Sequence, residues 1–276
     1  YDAGVGERDV IDGSGQPATR DSLVADLRGL GVEEGMSVMV HAALSRIGYV
    51  AGGAHTVVLA LLDAVGAGGT LVMPTHSTDL TDPADWSNPP VPVEWQATIR
   101  DGMPAYDPVM TPTREMGAVV ECFRHVPGVM RSDHPTVSAA AVGPNATLVV
   151  GDHELRDGLG ERSPQGRLYA LDGHVLLIGV GHANNTSLHL AERRSAPPDA
   201  RWRPQSSPLV VDGERRWVTY ECLDDDPSDF ATIGEAFSES GAERSGPVGA
   251  GVGRLMRARD LIDFAESWMN EHRTWP

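Results

Sequence analysis

The chain has 276 residues, 41% of them hydrophobic, and carries 39 acidic against 22 basic side chains for a net charge of -17. All 22 basic residues are arginine, which excludes Schiff-base lysine chemistry and a Walker-type phosphate lysine. Such acidity argues against nucleic acid as a partner, and no apolar run approaches the roughly 20 residues a membrane helix needs.

The first residues, YDAGVGERDV, lack a basic-then-apolar signal pattern. They also lack an initiator Met, so a leader lost upstream stays open. Two cysteines, Cys122 and Cys222, are too few for a disulfide framework and fit a reducing cytoplasm, the expected location. After a polar arm, residues 19–32 read as an amphipathic helix that Thr19 or Asp21 can cap and Gly31 can end. Residues 36–45 then read as a strand, 54–66 as a helix and 70–77 as a strand, a parallel α/β unit. Pro and Trp crowd "DPADWSNPPVPVEW", so 79–113 is expected to be an inserted loop without a regular helix or central strand. Helical character returns at 116–128, strands at 136–143 and 174–181, and a helix from about Thr186 to Arg194. Residues 207–222 predict a hairpin turning at Asp212-Gly213, and the chain from Asp229 onward reads as mostly helical. The expectation is one α/β domain over 1–276, with a mostly parallel central sheet flanked by helices, inserted loops and a small hairpin.

Three predicted strands run into a histidine: His41, His76 and His182. Ligands of open α/β sheets bind beyond the carboxyl ends of the strands, so the three can converge on one crevice. Each can equally be a polar strand terminus. A zinc site is one chemical alternative, but no closely spaced ligand motif such as H-E-x-x-H occurs, and no metal is expected. His189 and Glu192 share a helical face, a weak signal alone. A serine hydrolase is disfavoured by the lack of G-x-S-x-G, and the Gly-rich "GPVGAGVGR" (246–254) reads as a turn, without a P-loop pattern. General acid-base work asks less: one histidine within reach of a proton and a group that orients it. His182, flanked by glycines ahead of a helix start, fits that task, with Glu192 as its orienting group.

Seven segments carry a resemblance: "HAALSRIGYVAGG", "GTLVMPTHS", "DWSNPPVPVEW", "TPTREMGAV", "RSDHPTVS", "GLGERSPQGRLY" and "GVGHANNTSLHLAE". In this order they resemble the aminoglycoside 3-N-acetyltransferase family across nearly the whole chain. The resemblance implies an α/β fold distinct from the common N-acetyltransferase fold. It implies acetyl-CoA as co-substrate and transfer of acetyl to the 3-amino group of the deoxystreptamine ring, which inactivates antibiotics such as gentamicin. It places His182 as catalytic base and His41 near the thioester. It places Leu44, Ser45, Arg46, Thr75, Thr113 and Arg114 along the cofactor. One departure stands out: the family often reads His-Ser-Ser-Leu where this chain has His41-Ala42-Ala43-Leu44.

On this reading a free substrate amine is the nucleophile, no Cys or Ser carries the acyl group, and transfer is direct. Thr75 or backbone N–H groups are candidate oxyanion donors. His189 is read as structural support. Aminoglycosides are polycations, and a cleft of carboxylates would steer them. Asp79, Glu192, Asp229 and Glu235 are the candidate carboxylates, His76 is a further candidate substrate contact, and the 79–106 loop is a wall. A related enzyme acting on another amine and a non-catalytic antibiotic binder are the alternatives. The partner is a small cationic molecule, and the chain is expected to be a monomer or homodimer.

Overall fold

The computed structural model describes residues 6–275. A short α1 (Glu7–Asp12) precedes α2 (Arg20–Leu30), β1 (Ser37–Ala42), α3 (Gly53–Val65) and β2 (Thr70–Pro74). The middle of the chain gives α4 (Val93–Gly102), α5 (Gly117–Phe123), β3 (Met130–Arg131), β4 (Ala139–Val142), α6 (Ala146–Val150) and α7 (Pro164–Ala170). Then come β5 (His174–Ile178), α8 (Leu188–Ser195), the hairpin β6 (Trp202–Val211) and β7 (Glu214–Leu223), and α9 (Phe230–Glu239). A second hairpin, β8 (Arg244–Val248) and β9 (Gly251–Arg257), leads into α10 (Ala258–His272). The α2 boundaries follow the sequence signals. The Thr19 hydroxyl accepts from Ser22 N at 3.2 Å, and Gly31 closes the helix at φ 110°.

Seven strands form one mixed sheet in the order β3-β4-β2-β1-β5-β9-β8. β1 pairs in parallel with both β2 and β5, while the flanking pairings are antiparallel. The central strands alternate between two cores. Val38, Val40, Leu71, Met73, Leu176 and Ile178 face the layer of α2, α3 and α5. Met39, Val72, Val175 and Leu177 face α8, α9 and α10 on the other side. The run of apolar residues in these strands is thus the mark of a sheet buried on both faces. It also fixes where His41 points: two residues beyond Met39, it lies on the α8 side of the sheet.

Two expectations change. The 79–113 segment contains a regular helix, α4, which starts once the proline run ends at Pro92. It buries no side chain. Polar links hold it instead: Arg100 grips Asp82, with Nε 2.9 Å from Oδ2, and Trp217 Nε1 donates to Arg100 O at 3.0 Å. In the C-terminal part, 246–254 is most of the β8–β9 hairpin, turning between Val248 and Gly251, rather than an isolated turn. The predicted hairpin at Asp212-Gly213 is present and longer than expected, spanning Trp202–Leu223.

Gly179 ends β5 at φ 68°, and a Cβ there would stand 2.5 Å from Arg46 Cβ. The close approach seats the loop after β1 against the loop after β5, so both strand ends open onto the same space. Gly179→Ala combines left-handed strain with a steric clash and is expected to lower stability by roughly 1–3 kcal/mol. Urea unfolding checks this; an unchanged midpoint would contradict the role given to Gly179.

Candidate active site

Beyond the ends of β1, β2 and β5 lies a cleft of about 540 Å3, lined among others by His41, Pro74, Met116, Val180, Asn184 and Thr186. Glu115 joins it to a second cleft of about 390 Å3, lined by Thr78, Asp79, Trp86 and Arg114. Two imidazole nitrogens near the strand ends are buried without a hydrogen-bond partner among the described residues: His41 Nε2, whose residue lines the first cleft, and His76 Nε2, two residues past β2. Burial and then repulsion from His182 lower the His41 pKa from 6.5 to about 4. Burial, followed by repulsion from His189 and His41, lowers that of His76 to about 3. Both rings are therefore neutral near pH 7, and His76 lies within electrostatic reach of His41 and His189 alike. A buried polar atom without a protein partner is costly unless a ligand or solvent meets it.

His189, in the first turn of α8, sits with Nδ1 2.7 Å from Glu192 Oε2. The HxxE spacing puts both on one helix face, as the sequence predicts. Glu192 is fully buried. Its Oε1 accepts from Arg273 Nη1 at 2.7 Å and from Asp226 N at 2.8 Å, and Arg193 Nη1 lies 3.4 Å from Oε2. Burial alone would raise its pKa, but the His189 hydrogen bond and charge, the Asp226 amide and Arg273 together hold it at about 2. A carboxylate fixed in the ionised form accepts the Nδ1 proton and thereby sets the tautomer of His189. The Nε2 lone pair of that ring has no partner among the described residues.

His182 is placed differently. Its Nε2 is 2.7 Å from Glu243 Oε2, and Asn185 Nδ2 lies 3.4 Å from its Nδ1. The side chains of His182 and Glu243 are 5% and 4% exposed. Glu243 is itself held by Ser238 Oγ at 3.0 Å and Arg254 Nε at 3.3 Å. The α9 backbone passes so close at Gly234 that any Cβ would collide with the His182 ring. His182 Nε2 thus faces a carboxylate, its Nδ1 faces Asn185 in a long contact, and one ring face lies under α9. Glu192 is not its orienting group. That carboxylate is Glu243, and the sequence expectation for the His182–Glu192 pair is corrected.

Other expected residues distribute unevenly. Thr75 is fully buried, with Oγ1 3.1 Å from Arg131 Nε and 3.2 Å from Ser138 Oγ, so its hydroxyl is directed into the protein and not at a ligand. Arg131 also donates to the carbonyls of Thr75 at 2.6 Å and Thr111 at 2.5 Å, which ties together the segments "PTHS", "TPTRE" and "RSDHPT". His134 and His153 complete that packing; Val137 N donates to His134 Nδ1 at 3.1 Å, and the two rings lie 4.8 Å apart. The Thr113 hydroxyl donates to Glu121 at 2.8 Å. Arg114 stands 3.3 Å from Asp79, so one expected cofactor contact is paired with one expected antibiotic contact. Leu44 is buried in the core and can offer a ligand only its backbone, while Ser45 is half-buried and Arg46 exposed beside the cleft. Asp229 is paired with Arg273, Nε to Oδ2 2.8 Å, and Glu235 is exposed on α9. Trp86 walls the second cleft, whereas Trp95 is exposed on α4. Sequence reasoning missed Glu243, Asp225 and Arg273. Asp225 pairs with Arg193 next to the His189–Glu192 group.

The sequence matches the aminoglycoside 3-N-acetyltransferase family over residues 39–270. It is 42% identical over 260 residues to the prophage-derived aminoglycoside N(3')-acetyltransferase-like protein YokD of Bacillus subtilis, covering 94% of this chain and 95% of that one. Aminoglycoside N(3)-acetyltransferase VII of Streptomyces paromomycinus is 39% identical, with 92% of each chain covered. The structure of AAC-IIIb in a binary complex with CoASH superposes with a TM-score of 0.83 at 34% identity, covering 95% of this chain and 100% of that chain.

The buried neutral histidines give stability a defined pH dependence. His41 and His153 have folded pKa values of about 4, below the 6.5 of an unfolded histidine, so the unfolded chain binds protons first as pH falls. Stability is fully present above about pH 6.5 and is lost down to about pH 4, on the order of 2 kcal/mol per such histidine at pH 5. Chemical unfolding at pH 7.5 and pH 5 checks this; equal or greater stability at pH 5 would contradict it.

Proposed function

This chain belongs to the aminoglycoside 3-N-acetyltransferase family, an acyltransferase family acting on aminoglycosides, and from there we propose that it takes the acetyl group from acetyl-CoA and uses His189, not His182, as general base. The observation that carries the base assignment is the 2.7 Å contact between His189 Nδ1 and a buried Glu192 whose pKa is held at about 2, with Nε2 left unpartnered among the described residues.

The 3-amino group of the deoxystreptamine ring arrives as an ammonium and must lose a proton before it can attack. His189 Nε2 takes that proton, and the imidazolium formed is stabilised by Glu192 through Nδ1–H. Acetyl-CoA supplies the acyl group to be transferred. The two unpartnered nitrogens of His41 and His76 support its place in the cleft at the strand ends, because a neutral imidazole N–H there can donate to a carbonyl oxygen whose negative charge grows during attack. The N–C bond forms as the C–S bond breaks, the proton held by His189 passes to the departing thiolate, and the second proton, shed by the acylated nitrogen, leaves through the freed His189 to solvent. Direct transfer is supported by the cysteines. The thiol of Cys222 donates to Gln205 at 3.2 Å with its pKa raised by burial to about 11, and Cys122 is raised by burial on α5. The co-substrate's phosphates need cations in this acidic protein, and the exposed Arg46, and Arg114 on release from Asp79, are the candidates. Glu235 remains exposed for the cationic antibiotic, Asp79 can serve it only by exchanging Arg114, and Asp225 lies near the base. The CoASH-bound relative and the aminoglycoside names of the family support both substrates.

Release of CoA thiol on mixing with acetyl-CoA and gentamicin tests the transfer, and no release with any aminoglycoside would end this reading. His189→Ala is expected to lower kcat by roughly two to four orders of magnitude with little change in antibiotic binding. His182→Gln is expected to lower the melting temperature while kcat per folded molecule stays within about tenfold. The reverse pattern would return the base to His182.

A further inference from the structure

Arg273 stands in the segment after α10, far in sequence from every strand end. Its side chain is only 6% exposed. The guanidinium divides its donors among three partners. Nη1 bonds Glu192 Oε1 at 2.7 Å, Nε bonds Asp229 Oδ2 at 2.8 Å, and Nη2 bonds Asp226 O at 2.8 Å. The planar group lies over the rings of Phe230 and Trp275, at 6.0 and 5.2 Å from their centroids. Glu192 thus meets His189 with one oxygen and Arg273 with the other.

We infer that Arg273 is a positioning residue of the transfer reaction: it fixes the orientation of Glu192 and, by offsetting the charge of that carboxylate, sets the basicity of His189. This rests on the reading of His189 as base. The physical reason is a shared anion. A carboxylate bound by one cation attracts a second less strongly, so a guanidinium on Oε1 reduces the stabilisation Glu192 gives to a protonated His189 on Oε2. Direct repulsion between Arg273 and an imidazolium acts in the same direction. Asp225 lies within 4.8 Å of both His189 and Glu192, and the Asp226 carboxylate feels Arg273 and Glu192 as well. Arg193 on α8 faces Glu192 and is itself paired with Asp157 and Asp225. Asp226 offers its amide and carbonyl, Asp229 pairs with Arg273, and neutral His76 lies within electrostatic reach of His189. Loss of Arg273 therefore leaves His189 beside acids that are less well compensated. The histidine should hold its proton to higher pH, where a base must already be unprotonated. Lysine retains the charge but cannot bridge two carboxylates and a carbonyl in one plane.

The experiment is a paired titration. The His189 pKa is measured by NMR of ring-labelled histidine in the full chain, and the pH profile of kcat with acetyl-CoA and gentamicin is recorded alongside. R273M is expected to raise the His189 pKa by about one unit and to move the acid limb of kcat upward equally, a loss of about tenfold at pH 6 against about threefold or less at pH 8.5. R273K is expected to recover most of the shift. R194M, which removes a neighbouring arginine paired with Glu161, is the control and should leave both quantities in place. If R273M fails to fold, the double variant R273M/D229N removes the acid left behind and carries the same expectation. An unchanged His189 pKa in the folded variant overturns the inference. A His189 pKa that moves while the kcat profile stays fixed upholds the effect of Arg273 on the ring and overturns His189 as base.

Discussion

A carboxylate removed from water must be compensated where it stands, and Glu192 is the strongest case in this protein. It is fully buried at the layer between α8 and the C-terminal segment, and its two oxygens are met by an imidazole, two guanidinium groups and a backbone amide. Removing any one partner from such a set leaves a charge or dipole that the interior cannot solvate. The surrounding chain is arranged to meet this demand. The turn before α9 brings in the Asp226 amide, and the segment after α10 folds back to bring in Arg273. The tautomer of His189 follows from the same compensation. On the proposed function, the chemistry at Nε2 rests on this buried compensation.

The mixed sheet provides the other half of the site. Its three parallel strands end together, and the loops beyond them are held by polar contacts in place of an apolar core. Arg131 bonds three loops, and Gly179 lets two strand ends touch. The large negative charge is less freely available than composition suggests, because many acids near the site are committed to arginines: Asp79 to Arg114, Asp229 to Arg273, Asp225 to Arg193. On the proposed function, this division would let one acidic protein accommodate a polycation and a phosphorylated co-substrate. Steering belongs to the net field, and local pairing determines which side receives which molecule.

Much of this was legible in the sequence. Periodicity and capping residues located α2, β1, α3, β2 and β5, because local patterns encode elements that bury continuous apolar faces. The strand-end His41 could be read as a crevice residue for the same reason, and it lines the cleft. The helix α4 was hidden because the prolines before it dominate the local pattern, and because it buries nothing. The β8–β9 hairpin was hidden by glycines and arginines that are informative only once the adjoining loop is known. That omission is why Glu243 could not be seen as the partner of His182, 61 residues away in the chain. The HxxE spacing of His189 and Glu192 was visible, but its weight was not. Burial and the arrival of Arg273, which distinguish an orienting carboxylate from a surface acid, are tertiary facts.

The central claim is that two histidines seven residues apart hold opposite tautomers. Nitrogen NMR of ring-labelled histidine in the unliganded protein at pH 8, assigned with single-histidine variants, reads this directly. The account predicts a protonated Nδ1 and an unprotonated Nε2 in His189, and the reverse in His182. A His189 ring protonated at Nε2, with Nδ1 bare, would contradict it.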